Sequence, residues 1–276
     1  ERVAEELDQW ARAQAATPGP VPVGEDVSSE ARAAIDSAVW TLRASQSGQP
    51  LCELLGAPRG TTSVPVNALV PQLEPHEVGA ATRRAVAEGY RTLTVTAGFG
   101  DDRARLQAVH DAIDADTLVR IDVNSALAVD PATELAAFAT SLFGPQLEYL
   151  EDAGKSVAEL EIIGARTAAP LAVDELVRAP ADLDRSLDIE HVVAVVVKPA
   201  LIGGITPARS LAERSNAAGA DVVVSSLYDG VVGLTAWCHL AAALSGDRAH
   251  GLGTATLLPD PAAASLVPRG GHVRLR

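Results

Sequence analysis

A chain of 276 residues, 47% of them apolar, is long enough to bury a sizeable core as one large domain or two modest ones. Its formal net charge of −14 at pH 7, with no basic stretch to offset it, argues against a nucleic-acid partner. The apolar runs stop well short of the roughly 20 residues that a membrane span needs. No basic, apolar leader opens the chain, so we expect a cytoplasmic protein without a membrane partner.

The first 62 residues have a helical pattern. The segments VAEELDQWARAQ and EARAAIDSAVWTLRASQ carry apolar residues at spacings of three and four, which predicts two amphipathic helices. Between them, ATPGPVPVGED is rich in proline and glycine and predicts a linker. We therefore assign residues 1–62 to a first, mainly helical domain.

From residue 63 onward, short β-branched runs alternate with helical ones. The predicted strands are SVPVNALV, RTLTVTAG, LVRIDVN, QLEYLED, PLAVDE, HVVAVVVKP and DVVVSSLYD, with a weak eighth near HGLGTATLL. Strands that alternate with helices at roughly 25-residue intervals favour a closed, TIM-like α/β barrel. An open doubly wound sheet is the alternative, but no glycine fingerprint follows the first strand. The barrel then occupies residues 63–276, including a short C-terminal tail.

Three consecutive predicted strands end in carboxylates, Asp122, Glu151 and Asp174. The C-terminal ends of the strands form the active site of such a barrel. Carboxylates gathered there repel one another unless a hard divalent cation lies between them, and oxygen ligands alone suit Mg²⁺. A single acidic residue at a strand end is more often a helix cap or a solvated loop residue. Three in a row, each one β/α unit apart, predict a Mg²⁺ site.

Other residues near the strand ends are candidates for substrate contacts. They are Thr94, Thr96, Asn124, Gly203, Ser225, Ser226 and Asp229. Thr94 and Thr96 belong to a row of alternating threonines, which places their hydroxyls on one face of a strand. That face is either an ordinary exposed one or the lining of a site. Gly203 lies in ALIGG, where the backbone can approach a ligand closely.

Lys198 ends the most apolar predicted strand, in a chain whose only other lysine is Lys155. Burying an unpaired ammonium group is costly, so Lys198 must be paired or functional. Proximity to the carboxylates would meet both needs. A salt bridge that holds the barrel mouth is the structural alternative, and Lys198 is our candidate catalytic residue.

The segments VPVNALVP, RIDVNSA, LEYLED, LAVDE, KPALIGG, VVVSSLYDGVVGL and HGLGTATLL occur in this order. Together they resemble the enolase superfamily, in its muconate-lactonizing subgroup, and within it the actinobacterial o-succinylbenzoate synthases of menaquinone biosynthesis. Residues 31–58 resemble the helical part of that superfamily's capping domain. The resemblance implies a (β/α)7β barrel with a partial, helical N-terminal capping domain.

The resemblance also implies a chemistry. Asp122, Glu151 and Asp174 match the three family carboxylates that bind Mg²⁺, and Lys198 matches the lysine at the end of the sixth strand. In the family the metal stabilises an enediolate that forms when a proton is removed alpha to a carboxylate. A small-molecule carboxylate is therefore the expected substrate, and a Mg²⁺-dependent carbon–oxygen lyase the expected enzyme.

The chain departs from the family pattern in places. Thr94-Val95-Thr96 stands where the second strand of the family carries Lys-x-Lys, whose second lysine is the base. Ser125-Ala126-Leu127 replaces a stretch similar to Gly-Ala-Trp, and Asp229 stands where the synthases often have Glu or Asp. The β-meander that usually begins the capping domain is not found before Glu1, either because the chain lacks it or because the sequence is a part of a longer one.

Three hypotheses follow. The first is a Mg²⁺-dependent lyase similar to o-succinylbenzoate synthase, which dehydrates a cyclohexadiene carboxylate. The second is chemistry in which Lys198 is the only base, either elimination or lactonisation. The third is a homologue without catalysis that serves as a binding or assembly partner. The loss of a positioned general base lowers the reaction rate by a factor of about 10² to 10⁴. Because the lysine pair is missing, the second and third hypotheses stay open.

Overall fold

A computed structural model describes residues 1–16, 27–177, 180–244 and 246–275 of the chain. The predicted linker over residues 16–26 therefore lies outside the described residues, except for its first alanine. No helix in the described ranges is both long and apolar enough to cross a membrane.

The central element, in the part of the chain that the structure describes, is a parallel sheet of seven strands. The strands are β2 (Ala68–Val70), β3 (Thr92–Thr96), β4 (Leu118–Asp122), β5 (Leu147–Glu151), β6 (Leu171–Val173), β7 (Val192–Val197) and β8 (Asp221–Val224). Sequential strands are neighbours throughout, which is the topology of a parallel barrel rather than of a doubly wound sheet.

His250 and Gly251 close this sheet into a barrel. His250 forms a parallel bridge to Val66, and Gly251 forms one to Ser225, just beyond the end of β8. The N–H of Asn67 donates to the carbonyl of His250 at 3.0 Å, and the N–H of Gly251 donates to Val224 at 2.8 Å. The predicted barrel is confirmed. The predicted eighth strand is reduced to these two bridges, since the chain turns into a 3₁₀ helix over Gly253–Leu257.

The first predicted strand, residues 63–70, is divided at a proline. Its first part, β1 (Ser63–Pro65), pairs antiparallel with β9 (His272–Arg274), a strand that the sequence reasoning missed. Pro65 has no N–H to continue this ladder, and its carbonyl instead accepts from the N–H of His250 at 2.9 Å. The chain thus changes partner at Pro65 and enters the barrel as β2.

Helices connect the strands and cover the outside of the barrel. They are α1 (Arg2–Ala16), α2 (Ser29–Ser47), α3 (Leu51–Leu55), α4 (Pro75–Ala87), α5 (Asp102–His110), α6 (Val129–Phe143), α7 (Val157–Arg166), α8 (Pro180–Leu187), α9 (Pro199–Ile202), α10 (Ile205–Ala217) and α11 (Gly230–Ala241). Side-chain caps define several starts: Asp101 accepts from the N–H of Ala104 at 3.0 Å, and Ser156 from that of Glu159 at 3.2 Å.

The two helices predicted over residues 1–62 are α1 and α2, and the short α3 is an additional helix in this range. Helix α2 packs on the segment that follows β7. The carboxylate of Asp36 accepts from the N–H and the hydroxyl of Thr206 at 2.9 and 2.6 Å, and the indole of Trp40 donates to the same hydroxyl at 2.9 Å. A Cβ on Gly204 would lie 2.7 Å from an Asp36 oxygen, and Gly204 has φ +113°. Only glycine allows this approach, which fixes the loop behind Lys198.

Apolar side chains pack on both sides of the barrel wall. Leu93 and Val95 of β3 point outward into the main core between sheet and helices. Inside the barrel a second, smaller cluster comprises Tyr149, Ala172, Ala194, Val196 and Val223. The alanines and valines of this inner cluster are small, so space for a ligand remains inside the barrel near the C-terminal ends of the strands.

Candidate active site

A cavity of about 640 Å³ opens at the C-terminal ends of the strands and reaches down into the barrel. Eight of the residues predicted to form the site line it: Thr94, Asp122, Asn124, Glu151, Asp174, Lys198, Ser225 and Ser226. They come from six different strands or strand ends, which a barrel brings to one edge.

Three predicted substrate contacts are not found among the described residues that line this cavity. Thr96 is half-buried at the end of β3. Gly203 ends α9 with φ +97°, and a Cβ there would face Pro207 and Arg32 of α2. Asp229 accepts from the N–H of Leu227 at 2.7 Å and so shapes its own loop.

The predicted metal-binding carboxylates lie close together. Asp122 and Glu151 are direct neighbours in the register of β4 and β5, and Asp174 follows the end of β6. Burial raises the pKa of Asp122 to about 6, with Asp174 adding to the shift. Burial raises the pKa of Glu151 well above its usual range, reinforced by the charges of Asp122 and Asp174. Without a cation, this cluster does not favour three ionised groups.

Strained backbone at the strand ends positions these carboxylates. The N–H of Asn124 donates to Asp122 at 2.9 Å, and Asn124 and Ser125 have φ of +48° and +54°. Asp152, with φ +46°, accepts from the N–H groups of Asp174 and Glu175 at 2.9 Å each. Burial raises the pKa of Asp152 to about 7. Asp152 thus fixes the backbone of the next strand end rather than facing the cavity.

Lys198 is bound to the carboxylate cluster. Its ammonium group donates to Asp174, and Glu175 lies 3.4 Å away. Burial alone would lower the pKa of Lys198, but the Asp174 charge and hydrogen bond outweigh it and raise the pKa. The ion pair predicted as the structural alternative is therefore present, in the position expected for a functional lysine.

The donor set suits Mg²⁺ in its chemistry. It consists of oxygen ligands only. The charges of Asp122 and Asp174 raise the pKa of Glu151, and that of Asp174 raises the pKa of Asp122, a repulsion that a divalent cation relieves. Within the described ranges, no group of three or more His, Cys, Asp or Glu side chains is arranged to hold a metal ion. Asp174 is instead turned to Lys198, so binding of Mg²⁺ would require Asp174 to exchange partners.

A buried ionic network forms the floor of the cavity, and the sequence reasoning missed it. Arg120 binds both oxygens of Glu148 at 2.7 and 3.1 Å, and Arg248 reaches the same carboxylate at 2.8 Å. The register of β4 against β5 shifts between Val119 and Arg120, so that Glu148 lies between the register partners of these two residues. The Arg120 guanidinium also stacks on Tyr149, 4.9 Å from the ring centroid. The sequence contains one indication of this network, since Arg120 is a charged residue within the apolar run LVRIDV.

Two neutral hydrogen-bonded pairs complete the walls. The amide of Asn67 donates to the hydroxyl of Thr94 at 2.9 Å. The hydroxyls of Ser226 and Thr254 are 2.8 Å apart. All four side chains line the cavity. Asn67 lies in the segment VPVNALVP, but nothing in its local pattern distinguishes it from a loop residue.

Comparison with known proteins gives a consistent result. The family model described as "Enolase C-terminal domain-like" matches residues 77–276. The o-succinylbenzoate synthase of Thermobifida fusca (strain YX) is 38% identical over 200 residues, covering 71% of this chain and 60% of that protein. That of Mycolicibacterium smegmatis is 35% identical over 214 residues, covering 75% and 64%. The chain thus spans less than two thirds of the length of these relatives.

Solved structures share the fold. The dipeptide epimerase from Enterococcus faecalis V583 superposes with a TM-score of 0.80 at 22% identity, covering 94% of this chain and 77% of that one. A member of the enolase superfamily from Roseovarius nubinhibens ISM, complexed with magnesium, gives a TM-score of 0.77 at 22% identity, covering 100% and 73%.

Proposed function

Because the chain belongs to the enolase C-terminal domain-like family, we propose that it carries the active site of a Mg²⁺-dependent lyase similar to o-succinylbenzoate synthase. The observation that supports this most directly is the convergence of Asp122, Glu151, Asp174 and Lys198 on one cavity at the C-terminal ends of the strands. The similarity to synthases at 35% identity and above supports the reaction class. A cytoplasmic location and a small-molecule carboxylate substrate are parts of the same proposal.

Asp122, Glu151 and Asp174 would hold the metal. When bound, Mg²⁺ supplies stabilisation of the negative charge that develops on the substrate carboxylate. The backbone N–H of Asn124 donates to the carboxylate of Asp122, and the carboxylate of Asp152 accepts from the backbone N–H of Asp174; both bonds hold these residues at the cavity edge. The inner cluster around Val196 and Val223 presents an apolar wall to a carbocyclic ring.

Lys198 is the acid–base group of the proposed reaction. Among the described residues that line the cavity it is the only lysine, and Thr94 is far too weak a base at neutral pH. In the dehydration, the neutral amine form of Lys198, reached once its ammonium group has left Asp174 and lost a proton to solvent, removes the proton alpha to the carboxylate. A carbon–carbon double bond forms, and the hydroxyl on the adjacent carbon leaves. If both groups lie on the Lys198 face, the same proton can be returned to the departing hydroxyl, so that water is released and Lys198 is regenerated.

The test is an assay of the chain with the cyclohexadiene carboxylate precursor of o-succinylbenzoate, with added Mg²⁺ and with a chelator. Exchange of the alpha proton is measured in parallel in deuterated water. We expect Mg²⁺-dependent dehydration that Lys198→Ala abolishes and Lys155→Ala leaves unchanged. Mg²⁺ binding without dehydration or exchange would overturn the proposal in favour of a non-catalytic homologue.

A further inference from the structure

We infer that Asn67 and Thr94 form a neutral subsite that binds a hydroxyl or carboxamide group of the ligand, on the side of the cavity opposite Lys198. The inference rests on the proposed function for one point only, which is that Mg²⁺ held by Asp122, Glu151 and Asp174 would bind a carboxylate of the ligand. The subsite itself is argued from position, hydrogen bonding and charge.

Position follows from the order of the strands. Counting β2 as the first of the eight members of the ring, with His250 and Gly251 as the eighth, β3 is the second and β7 the sixth. Members four places apart in a ring of eight face each other across its axis. A ligand in the cavity therefore has Lys198, which follows β7, on one side and Thr94 of β3 on the other.

The hydrogen bonding of the pair leaves functional groups for a ligand. Asn67 donates to the hydroxyl oxygen of Thr94 at 2.9 Å, so the hydroxyl hydrogen of Thr94 can be donated elsewhere. The side-chain carbonyl of Asn67 can accept. The backbone N–H of Asn67 is bound to His250 at 3.0 Å, which holds the residue in place. The pair thus presents one donor and one acceptor, the complement of a hydroxyl or a carboxamide.

The charges of the cavity disfavour a carboxylate at this position. Lys198 lies across the barrel from Thr94, so its ammonium group is not beside this position. Arg120, the register partner of Thr94, has its guanidinium bound at two points to Glu148. A second carboxylate beside Thr94 would meet a neutral amide and a neutral hydroxyl, neither of which balances its charge.

The test compares two nearly isosteric probes in the presence of Mg²⁺. Isothermal titration measures binding of 2-carbamoylbenzoate and of phthalate, which differ in a carboxamide against a second carboxylate, with benzoate as reference. We expect the carbamoyl probe to bind about 10-fold more tightly than phthalate. Thr94→Val and Asn67→Leu should each remove most of this preference, taken as the ratio of the two affinities within the same variant, and Thr94→Lys should reverse it.

Thr92→Val is the matched control, since Thr92 lies two residues earlier on β3, is buried and is not among the described residues that line the cavity. It should keep the full preference. Phthalate binding as tightly as the carbamoyl probe, no binding of either probe, or a preference that survives Thr94→Val would each overturn the subsite. If the chain catalyses dehydration but does not prefer the carbamoyl probe over phthalate, the subsite alone is wrong. If it prefers the carbamoyl probe but does not catalyse dehydration, the proposed function alone is wrong.

Discussion

The ammonium group of Lys198 is bound to the carboxylate of Asp174, so the proposed base and a proposed metal ligand hold each other. Each is the other's strongest electrostatic partner in this region, since Asp174 raises the pKa of Lys198 and Lys198 offsets part of the rise in the pKa of Asp174. Metal affinity and the position of the base are therefore coupled through one ion pair.

Replacing Lys198 by methionine should raise the affinity for Mg²⁺ by roughly 10-fold, because the ammonium group competes with the ion for Asp174 and repels it. The same variant should lose a factor of about 10² to 10⁴ in dehydration, as expected when a positioned acid–base group is removed. Titration calorimetry with Mg²⁺ and a steady-state assay measure the two effects. Lys155→Met, at an exposed loop position, is the control. Equal Mg²⁺ affinity in Lys198→Met would contradict the competition.

Glu151→Gln should stabilise the metal-free protein at pH 8. Burial and the charges of Asp122 and Asp174 raise the pKa of Glu151 in the folded state. A carboxyl group with a raised folded-state pKa favours folding at low pH, and this contribution is lost as the pH rises through that pKa. The glutamine removes the penalty, so its stabilising effect should shrink toward pH 4. Urea unfolding at several pH values measures this, and thermal melts should show that Mg²⁺ stabilises the variant less than the wild type.

Asp152→Ala should cost about 1–3 kcal/mol of unfolding free energy, because the N–H groups of Asp174 and Glu175 each lose an acceptor. It should also weaken Mg²⁺ binding, since Asp174 is then less well positioned. Asp152→Asn is the matched variant: it keeps one acceptor oxygen and tolerates the positive φ. We expect its effects to be smaller in both urea unfolding and Mg²⁺ titration. Identical effects of the two substitutions would argue against the positioning role.

His250 should make the protein sensitive to acid. Its Nδ1 accepts from the N–H of Val224 at 3.0 Å, and burial lowers its pKa to about 3. An unfolded chain, with a histidine pKa of about 6.5, binds a proton that the folded chain excludes. This group's contribution to stability is present above about pH 6.5 and falls by about 1.4 kcal/mol per pH unit as the pH drops toward 3.

His250→Asn tests that linkage, because the asparagine oxygen can accept from Val224 but does not titrate. Urea unfolding between pH 7 and pH 4 should show a difference between wild type and variant that narrows as the pH falls. A difference that stays constant over this range would show that His250 is not held neutral.

The sequence predicts the features that depend on residues close together in the chain, and it does not predict those that depend on residues far apart. The seven barrel strands and the carboxylates at their ends follow from short apolar runs, each readable by itself. The β9 strand was missed although Arg269, Gly270, Gly271 and His272 form a tight turn, with φ of +60° and +71° at the two glycines. Its three-residue pairing with β1 joins residues more than 200 positions apart, and no local pattern encodes such a partner.

The predicted site divides in the same way. Thr94 and Lys198 are at the cavity because alternation along a strand determines which side chains point inward. Asp229 and Gly203 lie beyond the strand ends, where the loop's own hydrogen bonds and the approach of α2 decide the position. Asn67 was missed because its role depends on Thr94, 27 positions later in the chain.

Among the described residues, two close the ring of strands, His250 and Gly251, and ligand-facing groups lie on both sides of this closure. Asn67 is held on one side through His250, and Ser226 on the other through its N–H bond of 2.9 Å to Gly251. A ligand that contacts both Asn67 and Ser226 would span the closure formed by His250 and Gly251. It would protect the backbone amides of this closure from exchange with solvent. Ligand binding and local opening of the barrel are then linked, because a ligand of higher affinity makes opening at His250 and Gly251 less frequent.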